Sequence, residues 1–222
     1  YYSLRKHKGV NEDDARCALT NPLYFAAMMV REGQADASLA GAVNTTGDVL
    51  RPAIRCLGMK KGISIVSSCF LMIIPGRSQP VTFADCAVVP DPDAESLASI
   101  AMASAETHQR LTGSEPVVAM LSFSTKGSAS HPAVDKVLKA TEIVKAKKSS
   151  LIIDGELQAD AALVPDVGGR KAPESKVAGR ANVLIFPDLN SANIGYKLTQ
   201  RLGGAEAIGP VIQGLAKPAN DL

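Results

Sequence analysis

A chain of 222 residues with 46% hydrophobic content can build one large core or two small ones, so a folded, globular protein is expected. Its 24 basic and 22 acidic side chains leave a net charge of +2. That is too weak a field to select nucleic acid or an anionic membrane, although local basic groups can still hold a small anion.

From the start of the chain, the spacing predicts helices over Asn11 to Leu19 and Asn21 to Gly33. The second has Pro22 in its first turn and Gly33 just past its end. Ala37 to Val43 reads as a short strand, Asn44-Thr45-Thr46-Gly47 as a loop and Asp48 to Leu57 as a helix. Ser64 to Ile74 and Val81 to Val89 read as two strands around Pro75-Gly76-Arg77-Ser78, forming a hairpin or a sheet edge. A helix over Ala94 to Thr112, closed by Gly113, comes next. Val117 to Phe123 is a strand, Ser124 to Ser128 a loop and Pro132 to Lys147 a helix. Further strands are expected at Leu151 to Ile153, Ala161 to Val164 and Val183 to Ile185, with a last helix over Ile194 to Leu202. Pro165 to Arg180 reads as a polar surface loop, either a lid over the crevice or simply exposed.

Strands alternating with helices argue for a mostly parallel sheet covered on both faces. The longest apolar stretches are of strand length, so neither a signal peptide nor a spanning helix is visible. Tyr1 to Arg5 opens in helix without an initiating Met, and Pro218 to Leu222 closes no element. The chain is therefore read as part of a longer protein.

Neither Gly-x-Gly-x-x-Gly nor Gly-x-x-x-x-Gly-Lys-Ser/Thr occurs, which argues against a Rossmann dehydrogenase and a P-loop NTPase. In their place, two loops after strands offer hydroxyl and N–H donors to phosphate oxygens: Asn44, Thr45 and Thr46, and then Ser122, Ser124, Gly127 and Ser128. Helix capping explains either loop equally well. Arg5, Arg51 and Arg201 lie at element starts or in polar turns, and a guanidinium fork suits phosphate. Asp154, Glu156 and Asp160 crowd one short acidic loop after an apolar run that reads as a buried strand, and they need nearby cations or donors. Lys197 and Arg201, four residues apart on the last helix, are candidates for that compensation, and Asn193 opens the same helix.

The four cysteines, Cys17, Cys56, Cys69 and Cys86, contain no Cys-x-x-Cys pair, and His7, His108 and His131 are far apart in sequence. A reduced, cytoplasmic interior without a metal site is expected. Cys69 and Cys86 read as buried small hydrophobes, His108 as a surface residue and His131 as a helix-start residue able to touch a ligand. No Ser-His-Asp order supports a hydrolase.

Several segments together resemble the phosphate acetyl/butyryl transferase family. They are Asn21 to Val30, Gly41 to Ala53, Phe83 to Cys86, Asp154 to Ala162 and Asn193 to Lys197. The likeness spans nearly the whole chain and is closest to the bacterial acetyl-transferring members, including the form associated with ethanolamine use. It implies an α/β protein of the isocitrate/isopropylmalate dehydrogenase-like type, with two α/β domains, an interdomain cleft and an incomplete N-terminal domain. Residues 1–73 and 208–222 would form the first domain and residues 74–207 the second.

The implied reaction is reversible acetyl transfer between coenzyme A and inorganic phosphate. Coenzyme A, acetyl-CoA, acetyl phosphate and phosphate act as substrates, no cofactor is tightly bound, and the assembly is a homodimer. Matching motifs imply that Arg5 and Arg51 meet the anionic parts of coenzyme A or the phosphoryl group. Thr45 and Thr46 would help to hold phosphate, and Arg201 would face the cleft, with Arg51 and Arg201 as the catalytic, charge-stabilising pair. Asn44, Ser122, Ser124, Gly127, Ser128, Asp154, Glu156, Asn193 and Lys197 complete the expected substrate-binding set.

In the family, the Asn-Asp-Leu that here ends at Leu222 leads into Ser-Arg-Gly-Cys and an acidic residue. An inactive fragment and the ordered part of a longer protein both fit. Phosphate butyryl transfer and a non-catalytic acetyl-CoA-binding regulatory module remain the competing readings.

Overall fold

The computed structural model describes all 222 residues and divides into two compact units, Tyr1–Ile63 with Gly214–Leu222, and Ser64–Gln213. The resemblance placed these divisions at 73/74 and 207/208. Between these divisions, Ser67–Ile73 and residues 208–213 are strands of the second unit's sheet, held there by ladder hydrogen bonds.

The first unit contains helices α1 (Tyr2–Arg5), α2 (Glu12–Ala18), α3 (Pro22–Glu32) and α4 (Thr46–Leu57), with strands β1 (Ser38–Ala40) and β8 (Ala219–Asp221) paired in parallel. Local chemistry sets the helix ends. The Asn11 side chain accepts from the Asp14 N–H while Asp14 bonds back to the Asn11 N–H, a reciprocal cap. In α3, the Asn21 Oδ1 accepts from the Leu23 N–H, Pro22 enters the first turn, and Gly33 takes φ 76° at the end.

The second unit holds a six-stranded sheet of order β5-β4-β6-β3-β2-β7. Its strands are β2 (Ser67–Ile73), β3 (Val81–Ala84), β4 (Val117–Leu121), β5 (Ile152–Leu157), β6 (Val183–Ile185) and β7 (Glu206–Gln213). The strands from β5 to β3 run parallel, whereas β2 is antiparallel to both β3 and β7, so β2 and β3 form the expected hairpin. Both sheet faces are buried, which explains the continuous apolar strands. Val118, Met120, Val183 and Ile185 pack with helices α5 (Ala94–Thr112) and α6 (Pro132–Lys147). Ala119, Leu121 and Leu184, offset by one residue, pack on the other face with Leu157, Ala162 and Ala192.

Several sequence-based expectations change. Ala161 to Val164 is not a strand: Ala161 to Leu163 belong to helix α7 (Ala159–Leu163), and Val164 caps its end. The stretch after it is not an open loop, since it begins with helix α8 (Pro165–Lys171) and buries Ala172 and Val177 in the core. The last helix, α9 (Leu189–Arg201), starts five residues before Ile194, capped by the Asp188 side chain. The acidic segment is not a loop after a strand, because Asp154 and Glu156 lie within β5.

His108 is likewise not a surface residue. It is 1% exposed, with Nδ1 2.9 Å from the Thr82 hydroxyl and Nε2 2.9 Å from the Ser114 hydroxyl. Burial lowers its pKa below the ordinary 6.5. The unfolded chain therefore binds this proton more readily than the folded one. The contribution of neutral His108 is full above about pH 6.5 and is lost as the pH falls through the depressed native value. Urea denaturation at stepped pH should show stability declining below about pH 6.5, with a His108→Gln variant showing a shallower decline.

Candidate functional site

In the first unit, the Thr-rich loop leads directly into α4. Thr45 is the N-cap: its hydroxyl donates to Asp48 Oδ2 at 2.7 Å and accepts from the Asp48 N–H at 3.3 Å. That hydroxyl is committed to the helix. The next two residues, Thr46 and Gly47, form the opening turn, where N–H groups have no intrahelical acceptor and the helix dipole is positive. Thr46 is half-buried and Asn44 exposed, while Arg51 is exposed on the second turn. This helix start is a plausible seat for an anion, with N–H groups, a free threonine side chain and a guanidinium on one short segment.

Arg5 ends α1 and is half-buried, and its Nε is fully buried without a hydrogen-bond partner. It neighbours Cys56 of α4, whose thiol is pushed up to about 11 by burial despite the opposing charges of Arg31, Arg5 and Arg55. Cys56 therefore stays a neutral thiol near pH 7.

In the second unit, the loop after β4 turns its donors inward. Lys126 and Gly127 take φ 47° and 81°, forming a concave backbone turn of the type that receives an anion. The anion is internal: Glu156 Oε1 accepts from the Gly127 N–H at 2.7 Å and from the Ser124 hydroxyl at 3.0 Å. The Ser128 hydroxyl accepts from the Thr125 N–H at 3.0 Å, and the Ser124 hydroxyl accepts from the Ala129 N–H at 3.1 Å. The Ser124 N–H goes to the Ser122 hydroxyl at 3.2 Å. The donor set expected to face an external phosphate is thus directed at groups of the protein itself. Sequence could not show this, because Glu156 is about thirty residues from the loop and meets it only through the pairing of β4 with β5.

The acidic segment finds its partners here too, and they are not Lys197 and Arg201. Asp154 Oδ1 lies 2.7 Å from Lys126 Nζ and 3.2 Å from Lys145 Nζ. Asp160 Oδ2 lies 2.8 Å from Lys171 Nζ. Burial pushes the Asp154 carboxyl up, but hydrogen bonds from Lys126 and Ser175 and the Lys126 charge outweigh it, so its pKa lies below the ordinary carboxylate value. For Asp160, the Lys171 hydrogen bond is the main cause of a lowered pKa. Glu156 is 1% exposed, and its second oxygen is buried without a partner.

Helix α9 presents Lys197 and Arg201 to solvent, with the Lys197 ammonium 5.8 Å from the Tyr196 ring centre. Asn193 Nδ2 donates to the Cys86 carbonyl at 3.3 Å. His131 caps α6, its Nδ1 accepting from the Ala133 N–H at 3.1 Å. An open hollow of about 670 Å³ lies where α5, α6 and α9 begin, but none of the residues singled out from sequence lines it. Its single lysine, Lys136, is paired with Asp91 at 2.7 Å, and Asp93 and Asp188 also border it, so it is ill suited to phosphate.

No group of three or more His, Cys, Asp or Glu side chains could hold a metal ion, and no helix is long and apolar enough to cross a membrane. Asp85 escaped the sequence-based site selection. Its signal was present as a lone ionisable residue at the end of the apolar run Val81–Ala84.

Among known proteins, the family described as phosphate acetyl/butaryl transferase matches residues 1–222. The chain belongs to this family. It is 56% identical over 226 residues to the phosphate acetyltransferase of Thermoanaerobacterium thermosaccharolyticum, covering 100% of this chain and 69% of that relative. The Acetivibrio thermocellus phosphate acetyltransferase is 51% identical, with 100% and 68% covered. A phosphotransacetylase structure from Streptococcus pyogenes superimposes with a TM-score of 0.95 at 50% identity, covering 100% of this chain and 67% of that one. The α/β architecture with its parallel strands is thus shared with that phosphotransacetylase structure.

Proposed function

We propose that the chain serves reversible acetyl transfer between coenzyme A and inorganic phosphate, in a two-domain protein of the isocitrate/isopropylmalate dehydrogenase-like type. The observation that carries this reading is 56% and 51% identity, over the whole chain, to proteins named phosphate acetyltransferase. In the forward sense, the coenzyme A thiolate attacks the acetyl carbonyl of acetyl phosphate. A C–S bond forms, the bond from carbonyl carbon to phosphate oxygen breaks, and phosphate leaves with the electron pair. Nucleophile and leaving group both arrive with the substrates, so the reaction needs no tightly bound cofactor.

The protein's task is to hold polyanions and to neutralise charge that develops on the carbonyl and phosphate oxygens. Arg51 and Arg201 are assigned that neutralising role, with Arg5, Asn44 and Thr46 as contacts for phosphoryl groups. The opening turn of α4 supports the assignment to Arg51 and Thr46, since its N–H groups and the arginine lie on one short segment. Asn193 and Lys197 on α9 are assigned to substrate as well. Thr45 caps α4 just before Thr46, and Ser122, Ser124, Gly127, Ser128, Asp154 and Glu156 fix the turn after β4 through the hydrogen bonds described above.

A cytoplasmic homodimer belongs to the same proposal. The exposed stripe of Ile194 and Leu198 at successive turns of α9, continued by Leu202 at its C-cap, supports a homodimer as an apolar surface for a second copy.

The test is turnover of acetyl phosphate and coenzyme A by the intact protein, followed by thioester absorbance, with propionyl and butyryl phosphate run alongside. Acetyl phosphate should give the highest kcat/KM. A butyryl preference would move the reading to the longer acyl group, and no turnover with any acyl phosphate would end it.

A further inference from the structure

Asp85 follows β3 at the carboxyl edge of the parallel strands and is 3% exposed. A carboxylate so buried is tolerated only where donors surround it. Its Oδ1 accepts from the Ser68 N–H at 3.0 Å, the Ser68 hydroxyl at 2.6 Å, the Ala87 N–H at 3.1 Å and the Val88 N–H at 3.3 Å. Its Oδ2 accepts from the Val89 N–H at 2.8 Å. Three of these donors are consecutive backbone amides, so the side chain wraps the start of the β3–α5 connection around itself. With Oδ1 and Oδ2 both engaged, Asp85 is occupied within the protein.

The wrapped segment has a second contact. It presents the Cys86 carbonyl to Asn193 Nδ2 on α9, at 3.3 Å. Rotation of the 86–89 backbone would therefore move the acceptor that orients the Asn193 amide. We infer that Asp85 is a positioning residue: it sets the Cys86–Val89 segment and, through the Cys86 carbonyl, the orientation of Asn193. The inference rests on the assignment of Asn193 to substrate in the proposed function.

Asp85→Asn is the sharpest probe, because it keeps the shape but turns an acceptor into a donor facing an N–H group. The experiment compares Asp85→Asn, Asn193→Ala and the double variant of the intact protein. It measures kcat, KM, the melting temperature and, for Asp85→Asn, the side-chain amide resonance of Asn193. Each single change should lower kcat/KM about tenfold, and the double variant should lie within about twofold of Asp85→Asn alone. The Asn193 resonance should move. Multiplying losses, or a lowered melting temperature with wild-type kcat/KM and an unmoved resonance, would leave Asp85 a purely structural role and overturn the inference.

Should Asp85→Asn fail to fold, Ser68→Ala removes only the hydroxyl donor at 2.6 Å. It should shift the Asn193 resonance and lower kcat/KM about threefold, and an unchanged resonance overturns the coupling. A wild-type protein without acetyl-transfer activity would remove the proposed reaction. The resonance would then decide the link from Asp85 to Asn193 independently.

Discussion

Replacing Arg51 with alanine is expected to lower kcat/KM for acetyl transfer about 10²- to 10³-fold, with the melting temperature moving by no more than about 2 °C. Arg51 is exposed, so its loss removes little packing. Its place on the second turn of α4 sets a fixed positive charge beside the positive end of the helix. Under the proposed assignment, charge that grows on phosphate oxygen as the acyl bond breaks would be stabilised there more in the transition state than in the bound substrate. The loss should therefore fall mainly on kcat. Arg51→Lys should recover only part of the rate, because an ammonium cannot reproduce the planar two-donor fork. Steady-state kinetics with acetyl phosphate and coenzyme A, paired with thermal denaturation, decides the matter. Undiminished turnover in Arg51→Ala would remove Arg51 from the charge-stabilising pair.

The largest stability effect is expected at Gly168 in α8. A Cβ there would lie 2.6 Å from the Gly179 nitrogen, 2.8 Å from the Ala161 oxygen and 2.8 Å from the Ala178 carbonyl carbon. All three are backbone atoms, and the first two are joined by the hydrogen bond from the Gly179 N–H to the Ala161 carbonyl at 2.8 Å. No side chain can swing aside, so the helix or the 178–179 segment must shift. Gly168→Ala should cost about 3 kcal/mol and lower the melting temperature by about 6 to 12 °C. The adjacent Gly169 is the control, with nothing within 4 Å of its added Cβ. Gly169→Ala should be neutral or stabilising by up to about 1 kcal/mol, through helix propensity alone. Equal melting temperatures for the two variants would show that the close approach of α8 to the 178–179 backbone is not maintained in solution.

That glycine lies in a segment whose sequence suggests a polar loop. Gly168, Gly169 and Pro173 are breakers by local rules, yet Pro165 is acceptable in a first helical turn and Gly168 permits close packing. The preceding Ala161-Ala162-Leu163 run fits a short strand and a helical turn equally well, and length alone does not arbitrate. Helix won because Ala161 and Ala162 are fully buried against neighbouring segments. The edge strand β7 escaped notice for a related reason: Gly209 and Pro210 interrupt it, and only its ladder with β2 reveals it.

Other elements were legible because their signals are local. Pro22 with Gly33, and Gly113 after Thr112, mark helix ends by accommodating terminal backbone groups, and the helices begin or end there. The alternation of strand and helix also gave the parallel core of the sheet, since strands covered on both faces must be apolar throughout.

The chain's own order of residues thus settled its α/β class, most helix ends and its family, because capping groups, apolar periodicity and motif identity are short-range properties. Tertiary structure alone settled which charges meet. Lys126 and Lys145, rather than Lys197 and Arg201, hold Asp154, and Glu156 takes the anion position in the Ser124–Ala129 turn. Asp85 gathers three amides beside it with the hydroxyl and N–H of Ser68, seventeen residues away. Electrostatic partners are chosen by distance in space and by the exclusion of water, and the pairing of strands determines both.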